Sequence, residues 1–151
     1  MHVELIRIGP MSIGPMSWAF AALRATAERE GFNFLHRLGA RWDGARYMND
    51  DQASVWAAWS GATMAAIGAQ TFDEYDPSPL HRRIRHFYVL PEARRHGVGR
   101  ALAGKLIADA HALAPLLHLR ATHALSTAFW DSVGFARVTE RADRSHVLVR
   151  T

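Results

Sequence analysis

"PEARRHGVGRALAGKL", residues 91–106, sets Arg94, Arg95 and Arg100 around Gly97 and Gly99, where a polar turn gives way to an apolar, helix-like run. Glycine weakens a helix by about 1 kcal/mol relative to alanine. Two of them at a first turn therefore need another reason to be there. The first N–H groups of a helix lack partners within it and lie at the positive end of its dipole. A row of such amides from 94 to 100, with no Cβ at 97 or 99 to keep oxygens away, suits an anion such as phosphate. The same residues also describe a plain helix start, with glycines shaping the turn and arginines in solvent.

The flanking stretches place this turn in a fold. "RRIRHFYVL", residues 82–90, concentrates Ile84, Phe87, Tyr88, Val89 and Leu90 as a central strand does, and Pro91 ends it. A helix is predicted from about 98 to 110. Upstream, "ASVWAAW" and "TMAAIGAQTF" flank a Ser60-Gly61 turn, which decides for two antiparallel strands although the alanines permit helix. The chain begins with an alternating strand at 3–8. A helix over 16–30 follows, with Trp18, Ala22 and Ala25 inward and Gly31 as its stop, and then a short helix at 34–42 running into loop. Downstream come a strand at 116–122, a helix at 125–133 stopped by Gly134, and closing strands in 135–140 and 145–150. This order implies a mixed α/β sheet with helices packed on it, in one domain over residues 1–151.

Composition removes several function classes. The formal charge of +4 comes from 17 arginines and Lys105 against 14 acids, scattered without a continuous basic helix, so no general nucleic-acid binder is expected. The absence of cysteine rules out disulfides, thiolate metal sites and thiol catalysis, and fits a reducing cytosol. Residues 9–23 are uncharged, but Pro10 and Pro15 interrupt them and Glu4 spoils the positive start of an export signal. Residues 52–72 are uncharged and long enough to span a bilayer, yet the Ser60-Gly61 break favours a buried hairpin. A cytoplasmic protein without a membrane partner is expected.

Two motifs carry a resemblance. "VLPEARRHGVGRAL" contains Arg94, two residues, Gly97, one residue, Gly99, between a strand and an amphipathic helix, and "AFWDSVGF" at 128–135 follows at matching distance. Together they resemble the coenzyme A loop and the aromatic-xxx-Gly-Phe helix of the GNAT superfamily, the GCN5-related N-acetyltransferases, over residues 82–136. The resemblance implies a mostly antiparallel sheet of six or seven strands, splayed between the fourth and fifth, with about four helices. It implies acetyl-CoA as acyl donor, an amine as acceptor and no metal; dimers through the last strands are frequent in the family. Backbone groups of Phe87, Tyr88 and Val89 would bind the pantetheine arm, although their side chains would equally suit a core. Amides of Arg95, His96, Gly97, Val98, Gly99 and Arg100 would hold the pyrophosphate, with Arg94 or Arg95 supporting the loop.

Departures from the family pattern fall at the reacting end. Many members place a tyrosine where this chain has Trp130, and an indole N–H cannot surrender a proton near neutral pH. Either water or another side chain such as Tyr88 or His123 replaces that acid, or the chain binds acyl-CoA as a sensor with little turnover. His123 stands where the family often has asparagine, and can touch the pantetheine arm or simply start a helix. Aminolysis also needs an uncharged amine. His118, where some members have a glutamate base, and His86 on the neighbouring strand are the candidate bases, each also readable as structural. The acids of "FDEYD", residues 72–76, can attract a cationic amine or form a solvated turn. Trp42, Trp56 and Trp59 can line the acceptor pocket or fill core, with Trp56 and Trp59 on opposite strand faces.

Overall fold

The computed structural model describes residues 1–8, 17–43, 46–47 and 49–151, the side chains of Trp42, Asp43 and Arg46 excepted. The element order is β1 (Glu4–Ile8), α1 (Trp18–Arg29), α2 (Phe34–Arg41), β2 (Trp42–Asp43), β3 (Arg46–Tyr47), β4 (Ser54–Ser60), β5 (Thr63–Phe72), β6 (His81–Val89), α3 (Val98–Leu113), β7 (Leu116–Leu119), α4 (Ala124–Val133), β8 (Ala136–Arg137) and β9 (His146–Val149). A 3₁₀ turn, Pro91–Ala93, links β6 to the loop before α3. No helix among the described residues is long and apolar enough to cross a membrane.

Seven strands form one sheet in the order β1-β4-β5-β6-β7-β9-β8, while β2 and β3 make a separate hairpin. β5 lies near its middle, and all but its two end residues are buried. Its Gly68 has a packing reason. A methyl group on Gly68 would lie 2.8 Å from Leu106 of α3 and 2.9 Å from Phe87, so a bare backbone lets α3 dock against the sheet. Every neighbouring pair is antiparallel except β6 and β7. Their parallel pairing comprises His81–Leu116, Arg82–Leu117 and Arg83–His118, and ends there while β6 runs on to Val89. The sheet is therefore the mixed sheet expected, splayed between its fourth and fifth strands, with residues 84–89 of β6 walling a wedge.

Most predicted elements are present with shifted ends. The face of α1 is a correction. Trp18 is 95% exposed and Ala22 is exposed, whereas Phe20, Leu23 and Ala27 face the core. Ser17 caps the helix by accepting the Phe20 N–H at 3.0 Å, so Trp18 opens the first turn outside the packed stripe. Burying Phe20 and Leu23 also removes more apolar surface from water than burying alanines. After α2, Trp42–Asp43 and Arg46–Tyr47 pair as short antiparallel strands where the sequence suggests loop, and the closing strand β8 keeps only two residues. Met16 lies outside the described residues.

Candidate functional site

The turn from Arg94 to Arg100 stands at the open end of the wedge. Leaving the 3₁₀ turn, the chain passes through left-handed conformations at Arg95 (φ 65°) and Gly97 (φ 77°) before α3 begins. Among the described residues no side chain caps α3, and the first backbone bond that closes onto it is Ala101 N–H to Gly97 O at 3.0 Å. Arg95, His96, Gly97 and Arg100 are exposed, while Val98 is buried and anchors the turn. The two glycines differ in their reasons. A Cβ at Gly97 would meet nothing among the described residues within 4 Å, so conformation and room are what glycine supplies there. A Cβ at Gly99 would press on the Phe129 ring at 3.2 Å and on Val89 at 3.4 Å, so Gly99 lets α3 approach α4 and β6 closely.

Along the wedge wall, β6 carries a bulge. Ile67 faces Tyr88 and Ala69 faces Arg85, so the single residue Gly68 opposes both His86 and Phe87. His86 takes a left-handed φ of 56°, a conformation costing about 1–2 kcal/mol outside glycine. Phe87 packs toward α4, with ring centroids 5.5 Å from Phe129 and 4.8 Å from Trp130, whereas Tyr88 lies beside Phe32 and Phe34 on the other face. Trp130 is 3% exposed and also touches Phe129 and Phe135 edge-on, at 4.8 and 5.3 Å. It is packed as a core residue.

Both candidate bases are engaged within the chain. His86 is buried, its Nδ1–H donates to Phe34 O at 3.1 Å, and its Nε2 accepts from the Tyr47 hydroxyl. Burial first, then the charges of Arg85, Arg41 and Arg37, push its pKa down to about 3. His118 is also buried; its Nε2 lies 2.6 Å from His81 Nδ1, and Arg144 Nη1 approaches its ring nitrogens at 2.9 and 3.3 Å. Burial, with Arg144 and His81, lowers its pKa to about 4. His81 Nε2 in turn faces Asp76 at 3.3 Å, so a chain of polar atoms leads from His118 toward solvent.

Neutral buried histidines make folding acid-sensitive. Unfolded histidine titrates near 6.5, so below that pH the unfolded chain takes up protons that the folded one refuses. The stability present above pH 6.5 is lost as pH falls toward 4 and then 3. Denaturant titration is expected to show a decline of about 1.4 kcal/mol per pH unit for each histidine. Between pH 6 and 4.5 this precedes the loss from Glu30 and Glu74, whose carboxyls are held below the usual range of 4.5. His86→Gln should reduce the slope, and an unchanged slope would show that His86 is protonated in the fold.

The acids of 72–76 are taken up by arginines. Glu74 pairs with Arg85 through both oxygens, the longer contact being 2.8 Å. Asp73 is fully buried, with Arg83 and Arg144 each 3.8 Å away, and Asp76 lies 3.3 Å from Arg144. Trp56 and Trp59 do lie on opposite faces: Trp56 donates its indole N–H to Asp109 of α3 at 2.8 Å, which places it away from the His86 face. The Trp42 side chain lies outside the described residues. His123 caps α4, its Nδ1 accepting from Ser126 N–H at 3.4 Å, and its ring stacks on Phe32 at 5.1 Å.

Sequence reasoning missed Glu30 and Tyr47. Glu30 accepts from Arg94 Nη2 at 2.7 Å, Arg94 Nη1 at 3.1 Å and the Tyr88 hydroxyl. Arg94 thus braces the loop through Glu30 and through Val89 O, 3.1 Å from its Nε. The Tyr88 proton is held the same way, and burial followed by the hydrogen bond to Glu30 raises its pKa.

Residues 19–135 match the model of the Acetyltransferase (GNAT) family. No curated protein matches the sequence. A presumptive acetyltransferase from Exiguobacterium sp. 255-15 superposes with a TM-score of 0.81 at 26% identity, over 99% of this chain and 94% of that one. A presumptive GNAT acetyltransferase from Desulfovibrio desulfuricans gives 0.74 at 18% identity, over 98% and 99%. The ribosomal-protein-S18-alanine N-acetyltransferase of Escherichia coli gives 0.63 at 17%, over 97% and 90%, a likeness of fold.

Proposed function

The chain belongs to the GNAT family of acetyltransferases, and on that premise we propose that it transfers an acyl group, most simply acetyl, from acyl-CoA to the primary amine of a small molecule or peptide. The observation that carries this reading is the conjunction of a splayed β6–β7 wedge with an uncapped, left-handed loop at the start of α3. The amides of Arg95, His96, Gly97, Val98, Gly99 and Arg100 hold the pyrophosphate. The backbone of Phe87, Tyr88 and Val89 guides the pantetheine arm past His123 and Trp130. Arg94 braces the loop.

The amine attacks the thioester carbonyl directly in a ternary complex. The C–N bond forms as the carbonyl π electrons move to oxygen; collapse then breaks the C–S bond and releases the thiolate. Backbone N–H groups freed from the ladder by the bulge at His86 polarise the carbonyl. Catalysis rests mainly on holding two reactants together. Of the two histidines, His118 has the path for the amine's proton: through His81 to Asp76, side-chain exposure rises from 13% to 29%. His86 serves the bulge, its ring fixed by Phe34 and Tyr47.

Thiol release from acetyl-CoA across a panel of amines, polyamines, amino acids and peptides tests the reading. Release above hydrolysis is expected with at least one amine. Because His86 and His118 titrate well below neutrality, the rate should climb from pH 7 to 9 as the amine itself loses its proton. Coenzyme binding without release for any amine would favour the sensor instead.

A further inference from the structure

Glu30 ends α1, and its backbone N–H closes that helix on Ala27 O at 3.1 Å. Its carboxylate gathers groups that are remote in sequence: the Arg94 fork from the loop and the Tyr88 hydroxyl from β6. Arg94 lies 5.7 Å from the Tyr88 ring centroid and also holds the last carbonyl of β6. Two residues beyond Glu30, Phe32 contacts Tyr88 and Phe34 and stacks on His123 at the start of α4. The corner between α1 and α2 is therefore tied to β6 on one side of the wedge by Glu30, and meets the β7–α4 side through Phe32.

We propose that Glu30 is a positioning residue for the coenzyme: by fixing Arg94 and Tyr88 together it sets the place of the phosphate-facing loop and keeps the α1–α2 corner over the pantetheine path. The inference rests on the reading that this loop holds acyl-CoA. The Arg94–Glu30 pair is about one-third exposed on each side, so alone it adds little to stability. Its forked, charge-assisted geometry instead confers direction.

Calorimetry with coenzyme A, melting curves and steady-state kinetics on Glu30→Gln, Arg94→Gln and the double variant test this. Glu30→Gln is expected to weaken coenzyme A binding and raise the KM for acetyl-CoA about tenfold, with kcat within about threefold and the melting temperature nearly unchanged. Arg94→Gln should match it, and the double variant should be no worse than either, because the two side chains act as one unit. Unaltered affinity in Glu30→Gln, additive losses in the double variant, or a fall of more than about 10 °C in melting temperature would each overturn the proposal. Failure of the wild-type chain to bind coenzyme A is a separate result, and would defeat the functional reading itself.

Discussion

Acetyl-CoA at a hundred times its dissociation constant is expected to raise the melting temperature of the wild-type chain by about 5–10 °C, and Gly97→Asp to abolish that rise. The size follows from linkage: such a ligand excess stabilises by about 2.7 kcal/mol, and a domain of this length shifts about 2–4 °C per kcal/mol. The loss follows from the loop. Gly97 has a φ of 77° and no described neighbour within 4 Å of a Cβ built there, so an aspartate meets none of the described residues and enters at a conformational cost of about 1–2 kcal/mol. Its carboxylate then stands among the amides proposed to receive a diphosphate, and repels it. Gly97→Asn, nearly the same in shape but uncharged, should keep part of the shift. Equal shifts in wild type and Gly97→Asp would remove the phosphate from this turn.

Trp130→Ala is expected to destabilise the fold by about 3–5 kcal/mol, lowering the melting temperature by about 10 °C. Three aromatic rings, Phe87, Phe129 and Phe135, lean on the indole, so its removal leaves a hole between β6 and α4. A loss below about 1 kcal/mol would mean that this cluster collapses freely or is loosely packed. Trp130→Tyr separates packing from chemistry. The Tyr88 proton is committed to Glu30, so a phenol at 130 is expected to raise turnover, toward the roughly 10²-fold that a general acid supplies. An unchanged rate would show that water or another side chain such as His123 already supplies the proton.

What the sequence made legible was local. The loop could be read because Arg94, Gly97 and Gly99 lie within six positions, and the hairpin because Ser60-Gly61 sits between two apolar runs. The inward face of α1 could not, since alanines make its two sides nearly alike and Ser17 sets the phase. Contacts between distant residues left no pattern either. Tyr47 and His86 are 39 positions apart, and Glu30 and Arg94 are 64 apart. Only the folded sheet brings them together: His86, from the sequence a candidate base or a structural residue, is held by Phe34 and Tyr47, and Glu30, the last residue of the expected helix, is a junction.

The short run of paired residues between β6 and β7 gives the molecule a mechanical character of its own. Two leaves, β1-β4-β5-β6 and β7-β9-β8, meet at a spine of three rungs near one end. The angle between them is set largely by side chains, Phe87 against Phe129 and Arg83 Nη2 donating to Asp143 O at 2.7 Å, rather than by further backbone ladder. Substitutions along that crease should alter how widely the leaves stand apart before they unravel either one.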